Sequence, residues 1–316
     1  MTSIEVNKTY CEDCRVTLKR IPDGFFDNCI TSPPYYGLRD YGCEDQIGLE
    51  ETPEQYVAKL VEVFRDVRRC MKPDGTLWLN LGDTYNAYKA NTGDTNYAGF
   101  SGRPNHKKGL TVSGLKNKDL IGIPWMVAFA LRADGWYLRQ DIIWSKPNPM
   151  PESVTDRCNK AHEYIFLLSK SAKYNYNADA IKELAVNVDS TSPRGSKGNT
   201  KLNSGLRKQD MLNKATYTGF NDRYIPVEKV NKRSVWNIST KPFKKAHFAV
   251  YPEELIEPCV LTTKKDAIIY DPFGGAGTTG VVALRAGRMF IMSELNPEYV
   301  KIAEKRLHPY LNNLFT

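Results

Sequence analysis

The residues of this 316-residue chain best suited to chemistry lie in two short stretches. The first is Ser32-Pro33-Pro34-Tyr35, following the apolar Ile30 and Thr31 of a strand pattern. Two consecutive prolines force a rigid, extended turn and donate no N–H, so their carbonyls stay free as acceptors. Ser32 adds another acceptor and Tyr35 a flat aromatic face. Such a site accepts hydrogen bonds from an amino group and stacks on a planar ring. Taken alone, the same residues would also make a proline-rich turn with packed tyrosines. The second stretch is Asp271-Pro272-Phe273-Gly274-Gly275-Ala276-Gly277-Thr278-Thr279-Gly280. Its glycines allow a tight turn and a close approach of ligand to backbone. A helix beginning there offers free N–H groups and a positive dipole end. No Gly-Lys-Ser/Thr follows, so this is not a triphosphate-binding loop. Glu294 comes 23 residues after Asp271. That is the length of one strand–helix–strand unit, and an acid at that place takes ribose hydroxyls. Without a ligand, the loop would be a tight turn and Glu294 a solvated strand end.

These stretches need elements to position them. Apolar spacing from Tyr56 to Met71 predicts a helix, and Lys72-Pro73-Asp74-Gly75 is expected to stop it and turn the chain. Thr76–Leu81, Asp141–Trp144 and Tyr164–Leu168 read as strands. Farther on, Tyr251–Leu261 reads as a helix and Ala267–Tyr270 as a buried strand. Val281–Ala286 continues the glycine loop as a helix, and Arg288–Met292 is the next strand. Alternating strands and helices predict an α/β fold with a mostly parallel sheet.

Composition is that of a globular protein: 41% hydrophobic and 25% charged residues, which excludes disorder throughout. No apolar run reaches the roughly 20 residues of a membrane helix; the one from Pro124 to Leu131 is interrupted by Arg132 and Asp134. No apolar signal core follows Met1, so a cytoplasmic location is expected. Seven cysteines form no dense framework and read as free thiols. Cys11-x-x-Cys14 lacks a second such pair, so no metal is expected. The net charge is +8. Over 186–235, ten basic residues stand against four acidic ones, leaving +6 of that total. This polar stretch reads as a solvated loop or as a surface facing phosphates. Thr84–Lys118 is also polar, too long for a simple connection, and reads as a functional or mobile loop.

Together the two motifs closely resemble the amino-group DNA methyltransferases that modify cytosine N4 or adenine N6. The catalytic motif precedes the cofactor motif, as in their circularly permuted β class. Asp141–Pro151, His162-Glu163, His247-Phe248-Ala249 and Glu294–Tyr299 resemble further stretches of the family. The resemblance implies a Rossmann-like fold, S-adenosyl-methionine as cofactor, and double-stranded DNA as substrate. It assigns Ser32, Pro33, Pro34 and Tyr35 to catalysis. Cofactor binding falls to Asp13, Thr31, His247, Ala249, Asp271, Pro272, Phe273, Gly274, Gly275, Gly277, Thr278, Thr279 and Glu294. Glu12 stands where the family often has Gly. Residues 1–180 are then the catalytic half of the core and 236–316 its cofactor half. Between them, 181–235 is expected to recognise the target, with Arg194, Arg207, Lys208 and Arg223 on DNA. Ser32 favours cytosine N4, with adenine N6 as the alternative. A restriction endonuclease partner and a homodimer are compatible with the family. From another class, a silent DNA-binding protein on the same fold would bind cofactor without transferring methyl. Pro258-Cys259 precedes the cofactor loop inside a helical pattern, which marks Cys259 as a buried structural thiol rather than a nucleophile.

Overall fold

In the computed structural model, the residues described are 4–38, 42–43, 45–86, 112, 114–185, 228–241 and 250–312. In chain order they form β1 (Lys8–Cys11), α1 (Cys14–Arg20), β2 (Phe26–Thr31), α2 (Pro53–Cys70), β3 (Met71–Leu81), α3 (Ile123–Ala133), β4 (Tyr137–Ser145), β5 (His162–Ser169), β6 (Glu183–Leu184), β7 (Lys229–Val230), β8 (Val235–Asn237), α4 (Glu253–Leu261), β9 (Ile268–Asp271), α5 (Thr278–Arg285), β10 (Met289–Glu294) and α6 (Pro297–Leu311). Two compact units result: Met1–Ala180 with Arg233–Thr316, and Ile181–Lys232. Within the second, β6 and β7 pair antiparallel, bringing Leu184 opposite Lys229.

The first unit is built on an eight-stranded sheet in the order β1-β10-β9-β2-β3-β5-β4-β8. Neighbours run parallel except around β5, which is antiparallel to both β3 and β4. Every residue of β2 is buried, as a strand covered on both faces requires. Successive side chains then point to opposite faces. Cys29, Leu77, Leu79, Phe166 and Tyr270 join one apolar cluster, while Ile30, Trp78, Ile165, Leu167 and Ile269 join the other. The first cluster is closed by Leu18 of α1, Leu60 and Phe64 of α2, and Val127 and Leu131 of α3. Leu255 of α4, Val281 of α5 and Leu307 of α6 close the second. The expected mostly parallel sheet with helices on both faces is what the chain forms.

Local chemistry sets α2, the helix that packs beside the Ser32–Tyr35 turn. Thr52 Oγ1 accepts from the Gln55 backbone N–H at 3.2 Å, and Gln55 Oε1 accepts from the Thr52 N–H at 3.3 Å. Such a reciprocal cap stabilises a helix start by about 1 kcal/mol. Tyr56, Leu60, Val63, Phe64 and Val67 then fall on one buried stripe. The sequence between α2 and β3 behaves differently from expectation. The helix stops at Cys70, but the strand begins at once, with Met71 opposite Phe26 and the next pair at Thr76 and Asn28. Lys72–Gly75 therefore bulge from the ladder instead of turning the chain. Pro73 has no N–H to give the ladder, and the Lys72 ammonium grips both oxygens of Asp27, at 2.9 and 2.8 Å.

The connections after β9 and β2 diverge. These strands lie side by side, yet β9 leads to α5 on one face and β2 leads to α2 on the other. Where successive crossovers part in this way, a crevice opens outside the carboxyl ends of the strands. Both motifs singled out by the sequence end there.

Candidate active site

Asp271 closes β9 and is fully buried. One carboxylate oxygen accepts from Thr31 Oγ1 at 2.6 Å and from the Phe273 N–H at 3.0 Å. The other accepts from Thr279 Oγ1 at 2.5 Å and from the Tyr251 hydroxyl at 3.2 Å. Burial pushes this carboxyl up, and the four donors oppose the shift. The knot ties β2, β9, the loop and the start of α5 together. Within the loop, Gly274 N–H donates to Ser293 O at 2.8 Å. Gly277 sits at φ 81° as the cap of α5, and a Cβ there would lie 2.8 Å from Ala303 Cβ. Only glycine meets both demands, a left-handed backbone and helix contact at zero side-chain thickness.

Glu294 ends β10 beside this loop. Its oxygens accept from the Gly275 N–H at 2.8 Å and the Asn296 N–H at 2.8 Å. Burial raises its carboxyl above the ordinary value, partly countered by those backbone donors. Asp13, at the end of β1, caps α1 by accepting from the Arg15 N–H at 2.7 Å. Burial pushes the Asp13 carboxyl up, but Arg15, at 2.6 Å from its second oxygen, outweighs this and holds it below the usual carboxylate range. Two carboxylates thus stand at the ends of neighbouring strands with opposite electrostatic settings.

The Ser32–Tyr35 turn leaves β2 on the other side of the crevice. Tyr56 of α2 donates its hydroxyl to the Pro34 carbonyl at 2.8 Å. Among the described residues none donates to the Pro33 carbonyl. Tyr35 is half-buried, and its hydroxyl donates to Glu163 Oε2 at 2.6 Å. Burial first, and then the neighbouring Glu163 charge, push the Tyr35 phenol well up, so it stays protonated at neutral pH. Its ring lies against Gly82, where a Cβ would come within 2.5 Å of the ring.

One cavity of about 320 Å³ joins the two halves. Asp13, Glu294, Pro272, Phe273, Gly274, Gly275 and Thr278 line its cofactor-side wall, and Ser32, Pro33, Pro34 and Tyr35 line the other. Four of the expected contacts stand behind the cavity wall. Asp271, Thr31, Gly277 and Thr279 are not among the cavity's lining residues. They face inward because their side chains, or in Gly277 its missing one, are spent on the knot and on helix packing. In this arrangement they hold the loop in place. His247, Ala249, Arg194, Arg207, Lys208 and Arg223 lie outside the described residues.

Residues 26–305 match the family model described as DNA methylase, the N6 and N4 methyltransferases. The chain belongs to this family of DNA amino-methyltransferases. Type II methyltransferase M.Cfr9I of Citrobacter freundii is 44% identical over 300 residues, covering 93% of this chain and 85% of that protein. Type II methyltransferase M.SmaI of Serratia marcescens is 42% identical over 309 residues, covering 96% and 93%. Among solved structures, the cytosine-N4-specific PvuII DNA methyltransferase superposes with a TM-score of 0.61 at 18% identity, covering 99% of this chain and 93% of that one. A Thermus thermophilus protein crystallised with S-adenosyl-L-methionine gives 0.57 at 22% identity, over 96% and 93%. At those identities the two structures speak for the fold. No helix among the described residues of this DNA methyltransferase is long and apolar enough to cross a membrane.

S-adenosyl-L-methionine is the methyl donor of this family, and the cavity fits it. A nucleoside needs a flat apolar wall and an acceptor pair for its hydroxyls. Phe273 and Ile47 supply the first, and the half-buried Glu294 carboxylate the second. Gly275 is at φ 50° with its Cβ direction open, so the backbone there is accessible to a ligand. Several lining residues received no role from the sequence: Asn80, Lys146, Glu163 and Tyr251. Lys146 and Glu163 stood inside stretches already matched to the family, which was the available signal. Asn80 gave only a polar residue at the end of an apolar strand.

Proposed function

We propose that this methyltransferase modifies cytosine at N4 within a specific double-stranded DNA sequence, using S-adenosyl-L-methionine. The observation that carries this reading is the turn at the cavity wall. Ser32 Oγ and the Pro33 carbonyl, which has no donor among the described residues, stand beside a tyrosine ring, facing two carboxylates across one cavity. The base must leave the duplex, since its amine cannot be reached in the stack. Tyr35 stacks on the flipped ring. Ser32 and the Pro33 carbonyl accept from the amine, drawing its lone pair out of conjugation and aiming it along the line of transfer. The cofactor supplies an electrophilic methyl group on a sulfonium sulfur. Glu294 holds the ribose, while Asp13 lies toward the adenine. Ser32 orients rather than abstracts: a serine hydroxyl is a poor base, and the amine becomes acidic once methylated, so its proton leaves afterwards. Serine at position 32 favours cytosine over adenine.

The basic stretch within 181–235 is assigned to target recognition, with Arg194, Arg207, Lys208 and Arg223 on phosphates or base edges. The relatives carry type II names, so a restriction endonuclease of the same system is the expected companion. Sequencing the modified bases in DNA from cells that express the protein tests the whole reading at once. N4-methylcytosine in one short motif is expected. N6-methyladenine there would transfer the same mechanism to the other base, and unmodified DNA would refute it. Neutralising Arg207 and Lys208 together should lower the salt slope of DNA binding by nearly one log–log unit per lost phosphate contact. Cofactor affinity should not change. An unchanged slope would move the recognition role to 84–118.

A further inference from the structure

Asn80, near the carboxyl end of β3, is 5% exposed. Its amide nitrogen meets three acceptors at once: the Tyr35 hydroxyl at 2.9 Å, Glu163 Oε2 at 3.2 Å and Ser32 Oγ at 3.4 Å. Its Oδ1 is buried and has no hydrogen-bond partner among the described residues. Turning the amide over would set Oδ1 at 3.2 Å from a Glu163 carboxylate oxygen, acceptor against acceptor. Glu163 therefore fixes the orientation, and the orphan oxygen is the consequence. Buried polar atoms are nearly always satisfied, and a leucine here would carry no such cost.

Glu163, on β5, is the hub of the arrangement. Oε2 receives the Tyr35 hydroxyl and the Asn80 amide, while Oε1 pairs with the Lys146 ammonium that follows β4. The side chains of the pair are only 17% and 15% exposed, so each charge depends on the other for compensation. Lys146 also lies 4.3 Å over the Trp144 ring. On the far side, Gly82 leaves the space that the Tyr35 ring occupies. Residues from β3, β5 and the end of β4 thus converge on two members of the turn that leaves β2.

We propose that Asn80, Glu163 and Lys146 form a positioning brace that acts through the Tyr35 hydroxyl and Ser32 Oγ, fixing the ring plane and the acceptor that the target base meets. This rests on the reading of Ser32–Tyr35 as the turn that holds the base. A stacking platform with free side-chain torsions would present many ring planes; in-line transfer tolerates only a narrow one. The brace removes that freedom before the base arrives. It leaves the cofactor wall untouched, since Glu163 and Asn80 hydrogen-bond to nothing in the glycine loop.

The test is a double-mutant cycle with Tyr35→Phe, Glu163→Gln and the pair, measuring kcat, KM for DNA and cofactor affinity. Each single variant should lower kcat by about tenfold, the scale of a misplaced reacting group, with cofactor affinity unchanged. The double variant should be no slower than the slower single, because both changes act on the shared Tyr35–Glu163 bond. Multiplied losses, about a hundredfold together, or a parallel loss of cofactor affinity would overturn the proposal. Asn80→Leu provides a second arm that survives a folding failure of Glu163→Gln. It should lower kcat with cofactor affinity unchanged. Wild-type kcat in Asn80→Leu would defeat the brace. If the unmodified protein methylates no DNA of any sequence, the reading beneath the brace fails, and that is seen before any variant is made.

Discussion

The two walls of the cavity are built by different means. The cofactor-side loop is organised around one fully buried carboxylate, Asp271, whose four donors all come from strand ends, the loop itself or a neighbouring turn. Every oxygen there is used. The base-side turn has no such centre of its own. Its prolines stiffen the backbone, but Tyr56 of α2 holds Pro34, and Asn80 and Glu163 of β3 and β5 hold Ser32 and Tyr35. One buried oxygen is left over. The comparison teaches that a loop with its anchor in the motif can be recognised as a motif. A turn whose geometry is imposed by distant strands reveals only its own residues.

That contrast is breakable, beginning with its strongest element. Asp271→Ala should abolish cofactor binding in calorimetry and cost about 3 kcal/mol of stability or more, because several buried donors lose their acceptor together. Retained cofactor affinity would show that the loop does not depend on its knot. Tyr35→Ala should leave cofactor affinity intact and slow turnover on duplex DNA by one to two orders of magnitude, since base–aromatic stacking contributes about 1–3 kcal/mol. Equal rates for variant and parent would remove Tyr35 from the base site.

Two glycines sharpen the same division. Gly277→Ala places a methyl 2.8 Å from Ala303 Cβ on a left-handed backbone. It should cost about 1–3 kcal/mol in thermal or denaturant melts and weaken the cofactor. Gly82→Ala places a methyl within 2.5 Å of the Tyr35 ring, which must then leave the plane the brace sets. It should reduce turnover at nearly normal stability and cofactor affinity. Interchanged phenotypes would contradict the assignment of the two walls.

The smallest expected effect is electrostatic. The folded pKa of Glu294 is raised by burial, so the folded state holds its proton more tightly than the unfolded chain does. Stability relative to Glu294→Gln should therefore fall as pH rises from the ordinary carboxylate value through the raised one, then level off. Asp13 has the opposite sign. Its pKa is lowered, so its contribution is present above the unfolded value and lost as pH falls through the folded one. A difference curve for Glu294→Gln that rises with pH would mean the carboxylate is stabilised in the fold, not strained.

Much of this protein was determined by its sequence alone. The alternation of helix and strand patterns gave the α/β class, because periodicities of two and of three to four are local consequences of backbone geometry. The glycine loop and Glu294 were legible for the same reason: strand, turn and acid lie within one short unit whose dimensions hardly vary. The bulge at Lys72–Gly75 was not legible, since its cause is Asp27 on another strand gripping Lys72. Nor was the inward role of Asp271 and Thr31, whose hydrogen bond spans 240 positions of the chain. Above all, only the tertiary structure brings Asn80, Lys146 and Glu163 to Tyr35. Strand order in a sheet is set by which faces must be buried and how crossovers pass between them, so residues 45 and 128 positions from Tyr35 become its hydrogen-bond partners. Spacing along the chain carries no record of that convergence.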